Sequence, residues 1–141
     1  MFATINGLFG PVKALSGLAP WLIRLPWGAV FLYHGVTKFT GESGIDGFAG
    51  MLSQGFGAAG YPMAVAVAVA EILAGFGMIA GGLGKAAIHE AATRLAGLAA
   101  TIVMIGALVI VRLPSDGGWR GMEFDVLLLG VALYFMIRGN D

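Results

Sequence analysis

The chain has 141 residues, of which 58% are hydrophobic and 11% are charged, and its formal net charge at pH 7 is zero. Soluble domains carry about 25% charged residues, so this composition excludes an ordinary soluble domain and predicts one membrane-embedded unit without a nucleic-acid partner. The sequence contains no cysteine, which excludes disulfides, cysteine-ligated iron–sulfur clusters and thiol nucleophiles within this chain.

Residues 1–19 place apolar side chains at helical spacing, among them Phe2, Leu8 and Val12. The segment lacks the cationic start and the small-residue cleavage site of a secretory signal. We therefore predict an amphipathic helix that lies in the membrane interface and bends at Pro11. A disordered N-terminus is the alternative.

Four later segments have the roughly 20 mostly apolar residues that a membrane crossing needs. They cover about 20–39, 62–81, 91–112 and 121–137, within one domain at 20–138. The pattern predicts an all-α fold, an integral membrane four-helix bundle. Lys and Arg residues near the span ends favour both termini in the cytoplasm, and hence a multi-pass protein of the cytoplasmic membrane.

The first loop on the outer side is some twenty residues long and rich in glycine. Its apolar side chains fall on one side of a predicted short helix; these are Phe48, Met51, Leu52 and Phe56. We expect this helix to cap the bundle, because a long loop in a small protein usually has a role. An exposed flexible loop is the alternative.

The first span has a polar face. At about 100° per residue, Arg24, Trp27, Phe31, His34 and Lys38 share one side of the helix. Lipid tolerates such polar groups poorly, so we expect this face to contact the other helices.

Ionisable side chains from all four spans are predicted to lie in the outer half of the bundle: His34, Lys38, Glu71, Arg112, Glu123 and Asp125. Glu71 lies deepest, ~13 Å from the outer end of its span at a rise of 1.5 Å per residue. The inner halves contain almost nothing comparable, so the sequence predicts a single polar cluster in the outer leaflet. A purely structural interpretation pairs Lys38 with Asp125 and Arg112 with Glu71.

Glu123 and Asp125 are two residues apart, so they point about 200° apart on a helix. Only one of them can face the interior of the bundle. Glu123 near the interface with Asp125 inward is one arrangement, and the reverse stays open.

A quinone suits this cluster on physical grounds. Its ring would pack on Phe31, Met78 and Trp119, and His34 and Lys38 would donate hydrogen bonds to its carbonyl oxygens. Glu71 and His34 are the predicted catalytic residues, because a carboxylate and an imidazole can exchange the protons that accompany quinol oxidation. The other predicted cofactor-binding side chains are Arg112, Glu123 and Asp125.

Other cofactors fit the sequence less well. A redox haem normally needs two axial ligands, and we expect His34 to be the only buried histidine. A metal held by His34, Glu71 and Asp125 is an alternative, but their spacing is not diagnostic of a metal site. We predict no metal site, haem or iron–sulfur cluster from this chain alone.

Several stretches resemble the DoxX family in order and spacing. They are RLPWGAVFLYHGVTK at Arg24–Lys38, FAGMLSQGFGAAGYP, AEILAGFGMIAGG around Glu71 and GGWRGMEFDVLLLG in the last span. The resemblance covers about 20–138 and implies a four-helix protein of the bacterial or archaeal cytoplasmic membrane. It puts His34, Lys38, Glu71 and Glu123 at family-like positions.

The resemblance also suggests a function. Relatives named DoxD are linked to thiosulfate:quinone oxidoreductase activity, and other DoxX-like proteins to membrane oxidoreductase complexes and to oxidative-stress resistance. We therefore expect a quinone-linked subunit of an oxidoreductase system that works in the lipid bilayer with partner proteins or further copies of itself. The alternatives are a non-catalytic scaffold or envelope stress protein with a structural polar cluster, and a small-solute or proton transporter.

Overall fold

The computed structural model describes residues 10–115 and 118–140, and these residues are almost entirely helical. We label the five longer helices in chain order: α1 Ala19–Thr40, α2 Gly44–Phe56, α3 Gly60–Gly81, α4 Ala87–Gly106 and α5 Gly118–Arg138. A π-helix at Ala107–Arg112 continues α4 without a break. The predicted all-α fold, with a short helix in the first loop, is confirmed.

The N-terminal part of the predicted interfacial segment, residues 1–9, lies outside the described residues. The remainder forms a single helical turn at Gly10–Lys13 and a 3-10 turn at Ser16–Leu18, which leads directly into α1. The side chains of these two turns are exposed.

Small residues let the helix backbones approach closely. Helix α1 packs mainly on α3, α3 on α4, and α4 on α5. A Cβ atom at Gly75 of α3 would lie 2.6 Å from the carbonyl oxygen of Gly28 on α1, and one at Gly97 of α4 would lie 2.6 Å from the Met136 nitrogen on α5. Glycine is therefore required for these contacts, as expected where no hydrophobic drive brings helices together.

Large apolar side chains fill the interior of the bundle: Trp27, Phe31, Met78, Leu128 and Phe135. The rings of Trp27 and Phe31 lie 4.2 Å apart. The Trp27 indole N–H donates a 3.2 Å hydrogen bond to the Leu128 carbonyl oxygen, which joins α1 to α5.

Helix α2 covers one end of the bundle. Its Ala49 and Leu52 are buried against Ala64 of α3, and Phe48 is partly buried beside them. Met51 and Phe56 stay exposed. The alternative of an exposed flexible loop is therefore wrong.

The outer surface of the bundle is apolar. Leu73 and Phe76 on α3 are 61% and 65% exposed, which suits lipid better than water. Two segments are long and apolar enough to cross a membrane, Gly44–Gly81 and Ala87–Arg112. The crossings at α1 and α5, which carry charged side chains within their length, stay predictions.

Candidate functional site

A cavity of about 320 Å³ lies between α1, α3, α4 and α5, beneath α2. We call it the polar cavity and call this end of the bundle the Lys38 end. Its polar lining is His34, Lys38, Glu71, Arg112 and Asp125. Its apolar lining is Val30, Phe31, Phe48, Met51, Met104, Ala107, Val111, Phe124 and Leu128. The structure thus brings together the predicted catalytic and cofactor-binding residues except Glu123. Met78 and Trp119, the other predicted contacts of a quinone ring, do not line the cavity.

Lys38 and Glu71 form the most buried ion pair of the cavity. The Lys38 Nζ atom lies 2.6 Å from Oε2 and 2.8 Å from Oε1 of Glu71, so both carboxylate oxygens accept from it. Glu71 is 5% exposed. Phe48 of α2 covers the pair, with its ring centroid 4.9 Å from Nζ. The pair joins α1 to α3 and is shielded by α2.

Arg112 and Asp125 form the second ion pair, with Nε of Arg112 2.6 Å from Oδ2 of Asp125. Arg112 is the last residue of the π-helix, and Asp125 is buried on α5. A π-helix holds more residues per turn than an α-helix, so it changes the directions of the side chains that follow Gly106. Such turns are frequent at functional sites.

The predicted structural pairs, Lys38 with Asp125 and Arg112 with Glu71, are wrong. The structure pairs Lys38 with Glu71 and Arg112 with Asp125. The reason is helix order: α1 packs on α3, and the π-helix contacts α5. The sequence indicates the height of each charged group along its helix, but not which helices are neighbours.

Glu123 lies away from the polar cavity. Asp125 faces the interior of the bundle and Glu123 is exposed, as their separation of about 200° requires. The structure therefore does not bring the predicted cofactor-binding residue Glu123 to the site.

His34 lines the cavity but is exposed, so the expectation of a buried histidine is wrong. Its neighbour Gly35 provides the close contact of α1 with α3, which turns His34 about 100° away from that contact. The ring lies edge-on to Tyr33 at 5.9 Å. Within residues 10–115 and 118–140 it has no hydrogen-bond partner, so its nitrogens can serve a ligand at the cavity rim.

A second polar cluster lies at the opposite end of the bundle, and the expectation of nothing comparable there is wrong. It centres on Arg24, which is 3% exposed. Its guanidinium donates to the Met78 carbonyl oxygen at 2.9 Å, to Thr93 Oγ1 at 3.0 Å and to Asn140 Oδ1 at 2.7 Å. The same group lies 4.4 Å from the Phe135 ring centroid.

Glu90 and Arg94 extend this group, which we call the Arg24 cluster: Arg24, Glu90, Thr93, Arg94 and Asn140. Glu90 accepts hydrogen bonds from Arg94 Nε at 2.5 Å and from the Asn140 backbone N–H at 2.8 Å. Asn140 Nδ2 donates to the Gly81 carbonyl oxygen at 2.8 Å.

Sequence reasoning missed this cluster because Thr93 and Asn140, which link its charged members, are uncharged and Asn140 follows the last predicted span. The signal was Arg24 itself, a cation within an apolar run, at the same end of the bundle as Glu90. Among the described residues, no buried side-chain nitrogen or oxygen lacks a partner. The Arg24 cluster is therefore a closed network that holds helix ends together.

The charges of the polar cavity cancel. Each of its carboxylates is paired with a cation, so the lining favours a neutral ligand over an anion or a metal ion. In the described part of the chain, no three His, Asp or Glu side chains gather at metal-binding distances. The aromatic rings of Phe31, Phe48 and Phe124 offer flat apolar walls beside these hydrogen-bonding groups.

This chain is similar to known proteins in sequence. The sequence model of the DoxX family matches residues 19–113. A protein of Bacillus subtilis (strain 168), named "Putative oxidoreductase CatD", is 32% identical over 121 residues, which are 84% of this chain and 78% of that protein. No solved structure matches. The match with the family model includes His34, Lys38, Glu71 and Arg112, whereas Asp125 lies beyond it.

Proposed function

This chain belongs to the DoxX family, and we propose that it serves as a quinone-linked membrane subunit of an oxidoreductase system. Family membership and two apolar helical segments make it a membrane protein. The name of the Bacillus relative supports an oxidoreductase role. The observation that carries the proposal is the polar cavity, in which two neutralised ion pairs lie beside aromatic walls.

A quinone headgroup matches the chemistry of the polar cavity. It is neutral and flat, and its two carbonyl oxygens accept hydrogen bonds. A volume of about 320 Å³ is at the small end of the range for ligand pockets, about 300–1,000 Å³, which suits a single ring. Lys38 retains a third N–H beyond the two that Glu71 uses, and His34 offers a donor at the rim.

The ionisable groups of the cavity suit the proton chemistry of a quinol. Oxidation of a quinol to a quinone releases two electrons and two protons. In our proposal both electrons pass to a partner protein, and Glu71 accepts the two protons from the quinol hydroxyls one after the other, while Lys38 stabilises the carboxylate between the two transfers. His34, at the rim, carries each proton to the surface. Arg112 and Asp125 keep the cavity electrically balanced.

The setting is part of the same proposal. We place the protein in the cytoplasmic membrane with both termini in the cytoplasm, following the distribution of Lys and Arg around the spans. The Lys38 end then lies in the outer leaflet. The partners are the surrounding lipid, an electron-accepting oxidoreductase protein and further copies of this chain.

Quinol oxidation by the purified protein, with its partner where needed, tests the proposal. We expect Glu71→Gln to lower turnover by at least about 100-fold, since positioned proton transfer contributes about 10²–10⁴-fold. His34→Ala should also lower it. Glu123→Gln is the matched control, because Glu123 is exposed and does not line the cavity. Turnover at the wild-type level in both Glu71→Gln and His34→Ala would remove these roles.

A non-catalytic scaffold is the second candidate, and the Arg24 cluster favours it. That cluster shows that this bundle uses buried polar side chains to hold its helices together. The ion pairs of the polar cavity would then also serve only to hold the helices together. A scaffold predicts that no quinone changes the thermal stability of the solubilised protein, whereas the quinone proposal predicts a rise.

A further inference from the structure

The Lys38–Glu71 pair borders a second cavity as well as the first. This second cavity, which we call the apolar groove, has a volume of about 540 Å³ and lies between α2, α3 and α4. Apart from Lys38 and Glu71, its lining consists of apolar side chains and glycine. Ile102 and Ile110, on its lining, are 64% and 40% exposed, so the groove opens on the apolar outer surface of the bundle.

The two cavities adjoin each other. Lys38, Phe48, Glu71, Ala107 and Val111 line both of them. The Lys38–Glu71 pair and Phe48 therefore lie where the polar cavity borders the apolar groove. This places hydrogen-bonding groups directly beside an apolar groove.

We propose that the apolar groove holds the isoprenoid tail of the quinone whose headgroup occupies the polar cavity. This inference rests on the proposed function and names its substrate class, a tailed membrane quinone. A phospholipid fits the combined site less well, because its charged phosphate would have to enter a cavity whose charges are already paired.

Small residues make the room for the tail. Ala66 and Ala70 of α3 face Ala99 and Gly106 of α4 along the groove. A Cβ atom added at Gly106 would meet nothing within 4 Å, so the space beside it is open. A bulky side chain at this position would occupy the groove without displacing the backbone.

The test compares two forms of one benzoquinone, without a tail and with two isoprene units, binding to the protein in nanodiscs of fixed phospholipid composition. Gly106→Phe fills the groove. Gly130→Phe on α5 is the matched control, since a Cβ there also meets nothing within 4 Å and Gly130 lines neither cavity. Identical nanodiscs keep the partition of each quinone into lipid the same for all variants.

We expect wild type and Gly130→Phe to bind the tailed quinone at least about tenfold more tightly than the tail-less one. Gly106→Phe should lose this gain and keep its affinity for the tail-less quinone within about twofold. Ala66→Phe, a second change in the groove, should behave in the same way and replaces Gly106→Phe if that variant does not fold.

Retention of the gain in the groove variants would overturn the inference, and is the result expected if a phospholipid acyl chain fills the groove. Equal binding of both quinones by the wild type would overturn it too, while leaving the proposed function intact. Failure of the wild type to bind either quinone would overturn the proposed function itself.

Discussion

Lys38 and Glu71 are both largely shielded from solvent, with side chains 18% and 6% exposed, whereas Arg112 is 44% exposed opposite Asp125. This difference sets their energetic weight. Exposed ion pairs contribute about 0–1 kcal/mol, because water already solvates both groups. Removing one partner of a buried pair costs about 3–5 kcal/mol, because a charge is left without compensation. Lys38–Glu71 is therefore the ion pair on which stability depends most, and the proposed function assigns the proton chemistry to the same pair.

The first prediction separates architecture from chemistry. Glu71→Gln should lower the free energy of unfolding by about 3 kcal/mol, since the partly buried ammonium of Lys38 loses its counter-charge. The double variant Lys38→Met, Glu71→Met should recover stability to within about 1 kcal/mol of wild type, because apolar side chains of similar size avoid the desolvation penalty. Thermal unfolding in detergent measures both.

Turnover supplies the control for this pair of variants. The double variant should stay inactive in quinol oxidation although it is stable. Equal destabilisation in the single and the double variant would contradict the assignment of the loss to an uncompensated charge. A stable and fully active double variant would show that the pair serves only to hold α1 against α3.

At the scale of the helices, the closeness of α1 and α3 determines the position of the site. Gly28 and Gly75 meet backbone to backbone, and Gly35 meets the backbone of α3 one to two turns nearer the Lys38 end. Lys38 follows Gly35 by one turn, so this close approach lets a single lysine side chain reach Glu71. Side chains at these glycines would separate the two helices.

The second prediction tests this contact. Gly75→Ala should lower the free energy of unfolding by about 2 kcal/mol, because its Cβ would lie 2.6 Å from the Gly28 carbonyl oxygen and 2.8 Å from the Leu32 nitrogen. Gly130→Ala should instead raise it by about 0.5–1 kcal/mol, since alanine favours an exposed helix interior. Equal effects of the two substitutions on thermal unfolding would contradict the close contact.

The sequence indicates the positions of the helices and their shared faces, but not the π-helix or the exposure of His34. Apolar run lengths predicted where the helices lie, and helical spacing predicted that Phe31 and Lys38 share a face. The π-helix that ends at Arg112 has no signature in the hydrophobic periodicity, because a change in the number of residues per turn cannot be detected within a continuous apolar run. The exposure of His34 depends on the neighbours of α1, which periodicity cannot identify.

At the scale of the whole molecule, Asn140 connects several helices through its hydrogen bonds. It accepts from Arg24 on α1 and Thr93 on α4, donates to the Gly81 carbonyl oxygen of α3, and follows α5 itself. The single residue Asn140 thus links four helices. The polar cavity at the Lys38 end lies between the same four helices, so the Arg24 cluster fixes the far ends of the walls of the site.

The third prediction concerns these links between the helix ends. Asn140→Ala should lower the thermal midpoint and increase amide hydrogen exchange together at the ends of α1, α3 and α4 that the Arg24 cluster joins, because a buried guanidinium loses a 2.7 Å acceptor. Thr40→Ala is the control, since its hydroxyl donates only to Val36 on its own helix. An increase in amide hydrogen exchange at only one of these helix ends would contradict the inference that Asn140 holds them together.

The packing order of the helices was the part of the fold that the sequence predicted least well. The heights of His34, Lys38, Glu71 and Asp125 were readable, because rise per residue and span length fix them. The order of the helices was not, and so the partners of the two cations were assigned wrongly. The Arg24 cluster was missed for the same reason, since its uncharged members carry information only once their neighbours are known.

The balance of charge in the polar cavity has an electrical consequence. A membrane potential acts only on charge that moves through it, at about 2.3 kcal/mol per elementary charge per 100 mV. An uncharged ligand moves no charge through the field when it enters a cavity whose lining has zero net charge. Exchange of the ligand between the cavity and the bilayer is therefore voltage-independent. Any response of the turnover rate to an applied potential reports the movement of protons or electrons instead.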